Sequence, residues 1–325
     1  IIEEGVQNQP EAQNLYTVFT TELLAKQGQT DEALNFISKS IGATPNEPSL
    51  LYTRAILLSE LDQHTESEKD LRKVLKLKPN NVAALNALGY ALADQDKQLD
   101  EAEVLLEKAL ELSPNSADAH GWYAHLLSRE GRNDEAFAEN EMAIEIDPLA
   151  PGRRMGAALG ALGSRRNNVA ATAAQRGLAL GPTLELGRYL EALAHLLARK
   201  LDDCLNVLGD RYPGVRAMCQ YSQGDEAAAL QVIDSLKNTV SSTSVPQNHG
   251  EMLSYREIAM FYAWVGNVDE TLEWLERAFA WSPYAVQFEI MRSGVFDRVN
   301  EDSSFQAEVE RIQAQIKERL LQAAG

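Results

Sequence analysis

Prolines stand at positions 10, 45, 79, 114, 148 and 182, at steps of 35, 34, 35, 34 and 34 residues. A near-constant period in this range constrains the chain more than any local pattern. Each period is one supersecondary unit that cannot bury its apolar face alone, so neighbouring units must stack to share a core. Laid on one another, the periods show two helical patterns each. In the first, apolar and small residues share one helix face: Leu51, Ala55 and Leu58; Leu85, Leu88, Gly89 and Leu92; Tyr123, Ala124 and Leu127. A turn follows at Asp62, Asp96 or Gly131. The second pattern opens with a carboxylate and a small residue, as Glu66–Ser67, Glu101–Ala102 and Glu135–Ala136. An acid there suits the positive end of the helix dipole. Leu71 with Val74, and Leu106 with Ala109, carry on its buried face. The proline falls just past the last turn, where it cannot continue the helix and resets the chain direction.

The small residues are the points where the two helices cross. Antiparallel helices approach to about 8–10 Å only if the crossing residues are short. Ala124 and Ala136 form such a crossing, and a leucine at either is expected to cost about 1–3 kcal/mol. Eight hairpins follow from this reading: 13–44, 48–78, 82–113, 117–147, 151–181, 183–209, 212–237 and 251–282. The expected organisation is an N-terminal extension over 1–12, regular repeats over 13–150, degenerate helix pairs over 151–240, a loop over 241–250, one further repeat over 251–284, and C-terminal helices over 285–325. The polar stretch 238–250 reads as a flexible loop or a hinge. In the tail, Phe305, Val309, Ile312, Ile316 and Leu320 share one face of a final helix, and the charged opposite face suits a solenoid cap.

The segments LNALGYALADQDKQLDEAEVLLEKALELSPN (85–115) and HGWYAHLLSREGRNDEAFAENEMAIEIDP (120–148) resemble tetratricopeptide repeats nearly position by position. The resemblance holds over 48–150 and again over 254–283, where Ala259, Gly266, Ala278 and Pro283 fall in place. It extends to 13–44 through Gly28, Glu32, Ala33 and Pro45, with one extra residue in the first helix. It thins over 151–240, where Arg154 replaces a large apolar residue and Val169 an acid. The resemblance implies an all-α fold, an α-solenoid of about eight antiparallel helix pairs wound as a right-handed superhelix with a C-terminal capping helix. It also implies that the first helix of each pair lines an inner wall that binds an extended peptide or a helix of a partner protein. Carried onto this sequence, the inner wall includes Ser49, Tyr52, Ile56 and Glu60, then Asn86, Tyr90 and Asp94. It continues through Asp118, Gly121, His125 and Arg129, then Met155 and Leu159, and ends at Arg256, Met260 and Trp264. Tyr52 and Tyr90 either face this groove or pack between adjacent hairpins. Tyr123, Tyr255 and Tyr262 fall at core positions. Some members of the family clamp a C-terminal carboxylate with basic residues and asparagine. The matching places here hold Tyr52, Ile56 and Asp118, so that mode of binding is not expected.

The charge pattern narrows the partners. Of the formal net charge of −18, residues 1–150 carry −15 and residues 151–325 carry −3. An acidic surface repels phosphates, which argues against nucleic acid and anionic membranes and admits a basic protein partner. No run approaches 18 apolar residues, so membrane insertion is not expected. The compartment stays open between cytoplasmic and periplasmic. The chain opens IIEEGVQNQP without methionine, which reads as a processed protein or a piece of a longer one. No phosphate loop, zinc-protease motif, nucleophile elbow or dinucleotide fingerprint occurs, so no catalytic activity and no cofactor are expected. His120 and His125 are five apart, off a common helix face, and do not suggest a metal site. Cys204 and Cys219 read as two buried small side chains outside any disulfide framework. Gly152, Gly156 and Gly160 recur every four residues, with Gly163 beyond. They mark either an unusually close helix contact or a shallow place in the groove, and Arg153, Arg154, Arg165 and Arg166 surround them. The leading expectation is a protein-binding scaffold or adaptor. The alternatives are a regulatory or substrate-recruiting region of a larger enzyme or transcription regulator, and self-association through the end hairpins.

Overall fold

The computed structural model describes residues 10–94, 98–183, 185–209, 211–240, 249–281, 293–311 and 314. Among them are sixteen named helices and no strand. The chain divides into two compact units, Ile1–Trp122 and Tyr123–Gly325. The first unit pairs α1 (Pro10–Lys26) with α2 (Thr30–Ala43), α3 (Pro48–Glu60) with α4 (His64–Leu77), and α5 (Val82–Asp94) with α6 (Leu99–Leu112), and it takes the start of α7 (Ala117–Glu130). The second takes the rest of α7 with α8 (Asn133–Ile146), α9 (Pro151–Gly163) with α10 (Asn167–Leu180), and α11 (Glu185–Leu197) with α12 (Leu201–Leu208). It continues with α13 (Pro213–Ser222) and α14 (Glu226–Thr239), then α15 (His249–Val265) and α16 (Val268–Trp281). This is an all-α solenoid of eight antiparallel pairs, and the pairs fall on the eight hairpins read from the sequence. Helix α1 starts inside the stretch read as an extension, and α15 takes in the last two residues of the stretch read as a loop. The rest of that loop, 241–248, lies outside the described residues, as do Asp96, Pro283, Ile312, Ile316 and Leu320.

One turn recurs between the two helices of a pair. A single residue takes a left-handed conformation: Gly28, Asp62, Gly131, Arg165, Arg199, Gly224 and Gly266, with φ between 57° and 93°. The next residue sends its N–H back five positions, as in Gln29 to Leu24 (2.9 Å), Arg132 to Leu127 (2.8 Å) and Asn267 to Tyr262 (2.9 Å). This satisfies a carbonyl that the helix end leaves open. The proline carbonyls between pairs are satisfied by basic side chains one pair on. Lys73 Nζ donates to Pro45 at 2.6 Å, and Lys108 Nζ to Pro79 at 2.9 Å. Ion pairs add further ties: the Arg72 guanidinium bonds Glu101 at 2.6 Å from α4 to α6, and Arg166 bonds Asp134 at 2.9 Å from α10 to α8.

Small residues sit where helices meet. Ala124 and Ala136 are buried in one cluster with Leu127. A Cβ on Gly89 would lie 2.6 Å from Leu106 Cγ, so the leucine fills the space the glycine leaves. The glycine run of α9 faces α8: a Cβ on Gly156 would meet Asn140 Oδ1 at 2.6 Å, and one on Gly163 would meet Asn133 Oδ1 at 2.8 Å. Of the two readings of this run, the structure places a close helix contact at Gly156 and Gly163. The second unit has a large continuous core, with Tyr189, Tyr255, Phe261 and Phe296 fully buried in it. Phe305, on the helical stretch 303–311, stacks on Phe296 at 6.2 Å and closes that core.

The reading of the cysteines is corrected. Both are buried, but Cys204 Sγ and Cys219 Sγ are bonded to each other. Cys204 on α12 and Cys219 on α13 lie at nearly equal distances from the turn between those helices, so the reversal of the chain brings them together. Counting cysteines does not reveal this; their symmetry about the turn does.

Candidate functional site

Within the first unit, α1 and α3 border a cavity of about 360 Å³. Tyr52, Ile56 and Glu60 line it from α3, and Thr21, Glu22 and Lys26 from α1. Tyr52 and Ile56 belong to the sequence-derived set. The α1 residues do not, although the same register applied to the first helix would have found them. Thr21 is buried and its hydroxyl donates to Thr17 O at 2.7 Å.

Burial raises the Tyr52 phenol above its usual pKa, and the negative charge of Asp118 raises it further. Tyr52 therefore stays a neutral hydrogen-bonding group. The charge of Asp118 on α7 thus reaches Tyr52 on α3, with a whole helix pair between them in sequence. On α5, Tyr90 is half-buried and its ring centre lies 4.3 Å from that of Trp122. Asn86 is only 6% exposed, and its Oδ1 has no hydrogen-bond partner. The side chain of Asp94 lies outside the described residues.

The second unit treats its members of the set differently. His125 and Arg129 on α7 are half-buried. Met155 is 5% exposed and lies in the interior, because Gly177 on α10 and Gly187 on α11 leave room for its side chain. Trp264 is 6% exposed. Its Nε1 donates to Ser222 Oγ at 3.0 Å, and the Arg199 guanidinium lies 5.3 Å from its ring centre. Met155 thus fills the core rather than standing on an open wall, and Trp264 is largely covered but lines a cleft. Arg256 is half-buried with its guanidinium over Tyr189 at 5.0 Å, and Met260 accepts the Tyr189 hydroxyl at 3.2 Å. Tyr255 and Tyr262 are core residues as read; Tyr123 is half-buried against the cluster of Ala124 and Leu127. Among the described residues, no group of three or more His, Cys, Asp or Glu is arranged to hold a metal. No helix among them is long and apolar enough to cross a membrane.

Stacked helix pairs, one repeated left-handed turn and a tyrosine-bearing face define a repeat protein of the α-solenoid class. Profiles of the tetratricopeptide repeat match residues 52–116 and 93–159. Residues 52–159 thus carry tetratricopeptide repeats. A TPR repeat-containing protein of Pseudomonas aeruginosa is 34% identical over 151 residues, which is 45% of this chain and 25% of the relative. The protein O-mannosyl-transferase Tmtc2 of Drosophila melanogaster is 36% identical over 95 residues, 29% of this chain and 10% of the relative. The chain therefore spans a quarter or less of the length of these relatives. A tetratricopeptide repeat protein from Parabacteroides merdae superimposes with a TM-score of 0.55 at 13% identity, over 76% of this chain and 98% of the other. A thermophilic TPR protein of Thermus thermophilus does so with a TM-score of 0.50 at 21% identity, over 56% and 99%. These two likenesses concern the fold. Tetratricopeptide repeats generally mediate protein–protein interaction.

Proposed function

We propose that the chain is a non-catalytic scaffold that holds a basic peptide, or a helix of a partner protein, against the first helices of its first unit. The observation that carries this is the cavity lined by Tyr52, Ile56, Glu22 and Glu60, with the charge of Asp118 acting on Tyr52. Tyrosine offers contact area with a hydrogen-bonding tip, and the three carboxylates supply charge for lysine or arginine. Tyr90 extends the same face, while His125, Arg129 and Arg256 are the remaining half-buried members of the set. The test is capture of partners from the native cell by the full chain and by a Tyr52→Ala/Tyr90→Ala variant. Loss of two aromatic anchors is expected to weaken capture by about tenfold or more. Undiminished capture removes this site.

A second reading is a recruiting region of a larger enzyme. It is supported by the match to a protein O-mannosyl-transferase of which the chain spans 10%. An adjoining catalytic domain in the full-length gene would favour it. Self-association is a third reading, favoured by Leu15, Phe19 and Leu23, which form an exposed apolar stripe along α1. A mass that stays at one chain in light scattering across a concentration series would exclude it.

A further inference from the structure

A separate cleft of about 220 Å³ lies in the second unit, at the turn end of its first helices. Arg165, Asn167, Arg199, Trp264, Asp297 and Arg298 are among the residues that line it. Three arginines against one acid is unusual in a chain of net charge −18. Arg165 is neutralised there: its two Nη atoms bond the Asp297 carboxylate at 2.7 and 2.6 Å. Arg199 and Arg298 are not. Their guanidinium groups lie 5.3 and 5.9 Å from the centre of the Trp264 ring, and among the described residues neither has a carboxylate partner. Two like charges are thus gathered around one buried indole with no carboxylate partner among the described residues. Asn167 adds a buried Oδ1 without a hydrogen-bond partner.

The backbone points the same way. In the recurring turn, glycine occupies the left-handed position in four pairs, at 28, 131, 224 and 266. Arg165 and Arg199 hold the equivalent position with φ of 58° and 60°. A side chain is strained in that conformation; Asp62 also bears it in the first unit, so the position alone assigns no task. Both arginines that replace glycine enter this one cleft.

We propose that the cleft binds a phosphate monoester. Such a group carries about −1.5 to −2 charge at neutral pH, which matches the two guanidinium groups, and its oxygens accept bidentate bonds from arginine. Stacking on Trp264 holds the two guanidiniums ready for it. A hydroxyl on the ester's carbon part, or the phosphate proton, donates to Asn167 Oδ1. The cleft volume of about 220 Å³ has room for a phosphate group.

The test is calorimetric titration of the full chain with inorganic phosphate against chloride at matched ionic strength, with Arg199→Gly and Arg298→Gln variants. Arg199→Gly places the residue that other turns already carry, so the fold is spared and the melting temperature without phosphate is expected to hold or rise. Phosphate is expected to bind the natural chain and to bind each variant about tenfold or more weakly, as loss of a charge-assisted bond demands. Phosphate binding no tighter than chloride, or equal binding by Arg199→Gly, overturns the proposal. If Arg298→Gln does not fold, Arg199→Gly decides alone.

Discussion

Glu257 is a carboxylate in the core of the second unit, 5% exposed, and its Oε2 accepts the Gly214 N–H at 2.8 Å. It tethers the first turn of α13 to α15, and a Cβ on Gly214 would lie 2.5 Å from Glu257 Cβ, so only glycine allows that approach. Burial raises the pKa of Glu257 above the ordinary 4.5, while the Gly214 bond and the Arg256 charge pull it part of the way back. The charged form is therefore disfavoured by folding. Its effect on stability is most favourable below pH 4.5 and is lost as pH rises through the folded pKa. Glu257→Gln keeps an acceptor for Gly214 and removes the titration. Relative to the natural chain, the variant is expected to gain stability from acid to neutral pH, read as the urea midpoint at each pH. A difference that does not change with pH would show that Glu257 is solvated or otherwise compensated. None of this was legible in the sequence, where Glu257 stands beside a charged neighbour like any exposed helix acid. The buried Tyr255, one turn from Ala259, was legible because apolar spacing alone places it.

Helices α12 and α13 span 8 and 10 residues, the shortest named in the chain. Helices of this length are marginal unless tertiary contacts hold them. The Cys204–Cys219 bond closes a loop of 15 residues across this one weak joint. A closed loop of that size removes about 3 kcal/mol of chain entropy from the unfolded state. Cys204→Ala/Cys219→Ala is expected to lower stability by about that much, measured by urea unfolding. A reductant is expected to lower the natural chain and to leave the double variant unchanged. Equal sensitivity of both proteins to reductant would mean that the bond does not form. The helix pairs themselves were legible because turn and proline recur in register, and the eight hairpins survive even where the prolines stop. The inner wall was legible only in part. Register assigns Met155 and Trp264 to it, but register does not report what the next pair brings. Gly177 and Gly187 open a space that draws Met155 inward, and Ser222 and two arginines cover Trp264. Those are contacts between pairs, and a repeat pattern describes one pair at a time.

In a solenoid each pair touches chiefly its neighbours, so stability is close to a sum of local terms and nearest-neighbour terms. A lesion in one pair should then stay near its origin instead of unfolding the chain as one body. Gly89→Ala is a suitable lesion. The added Cβ would fall 2.6 Å from Cγ of the fully buried Leu106 and 3.3 Å from the Ala102 carbonyl. The gain in helix propensity is about 1 kcal/mol, and the overpacking cost of about 1–3 kcal/mol exceeds or cancels it. Amide hydrogen exchange is expected to quicken in α5 and α6, less in α3 and α4, and not at all in α13 to α16. Uniform quickening over both units would show that the chain unfolds as one cooperative body, and the nearest-neighbour account would fail. Local quickening would mean that the first unit can yield around a ligand near Tyr52 and Tyr90 while the arginine cleft of the second keeps its shape, so the two proposed sites can be tested one at a time in the intact protein.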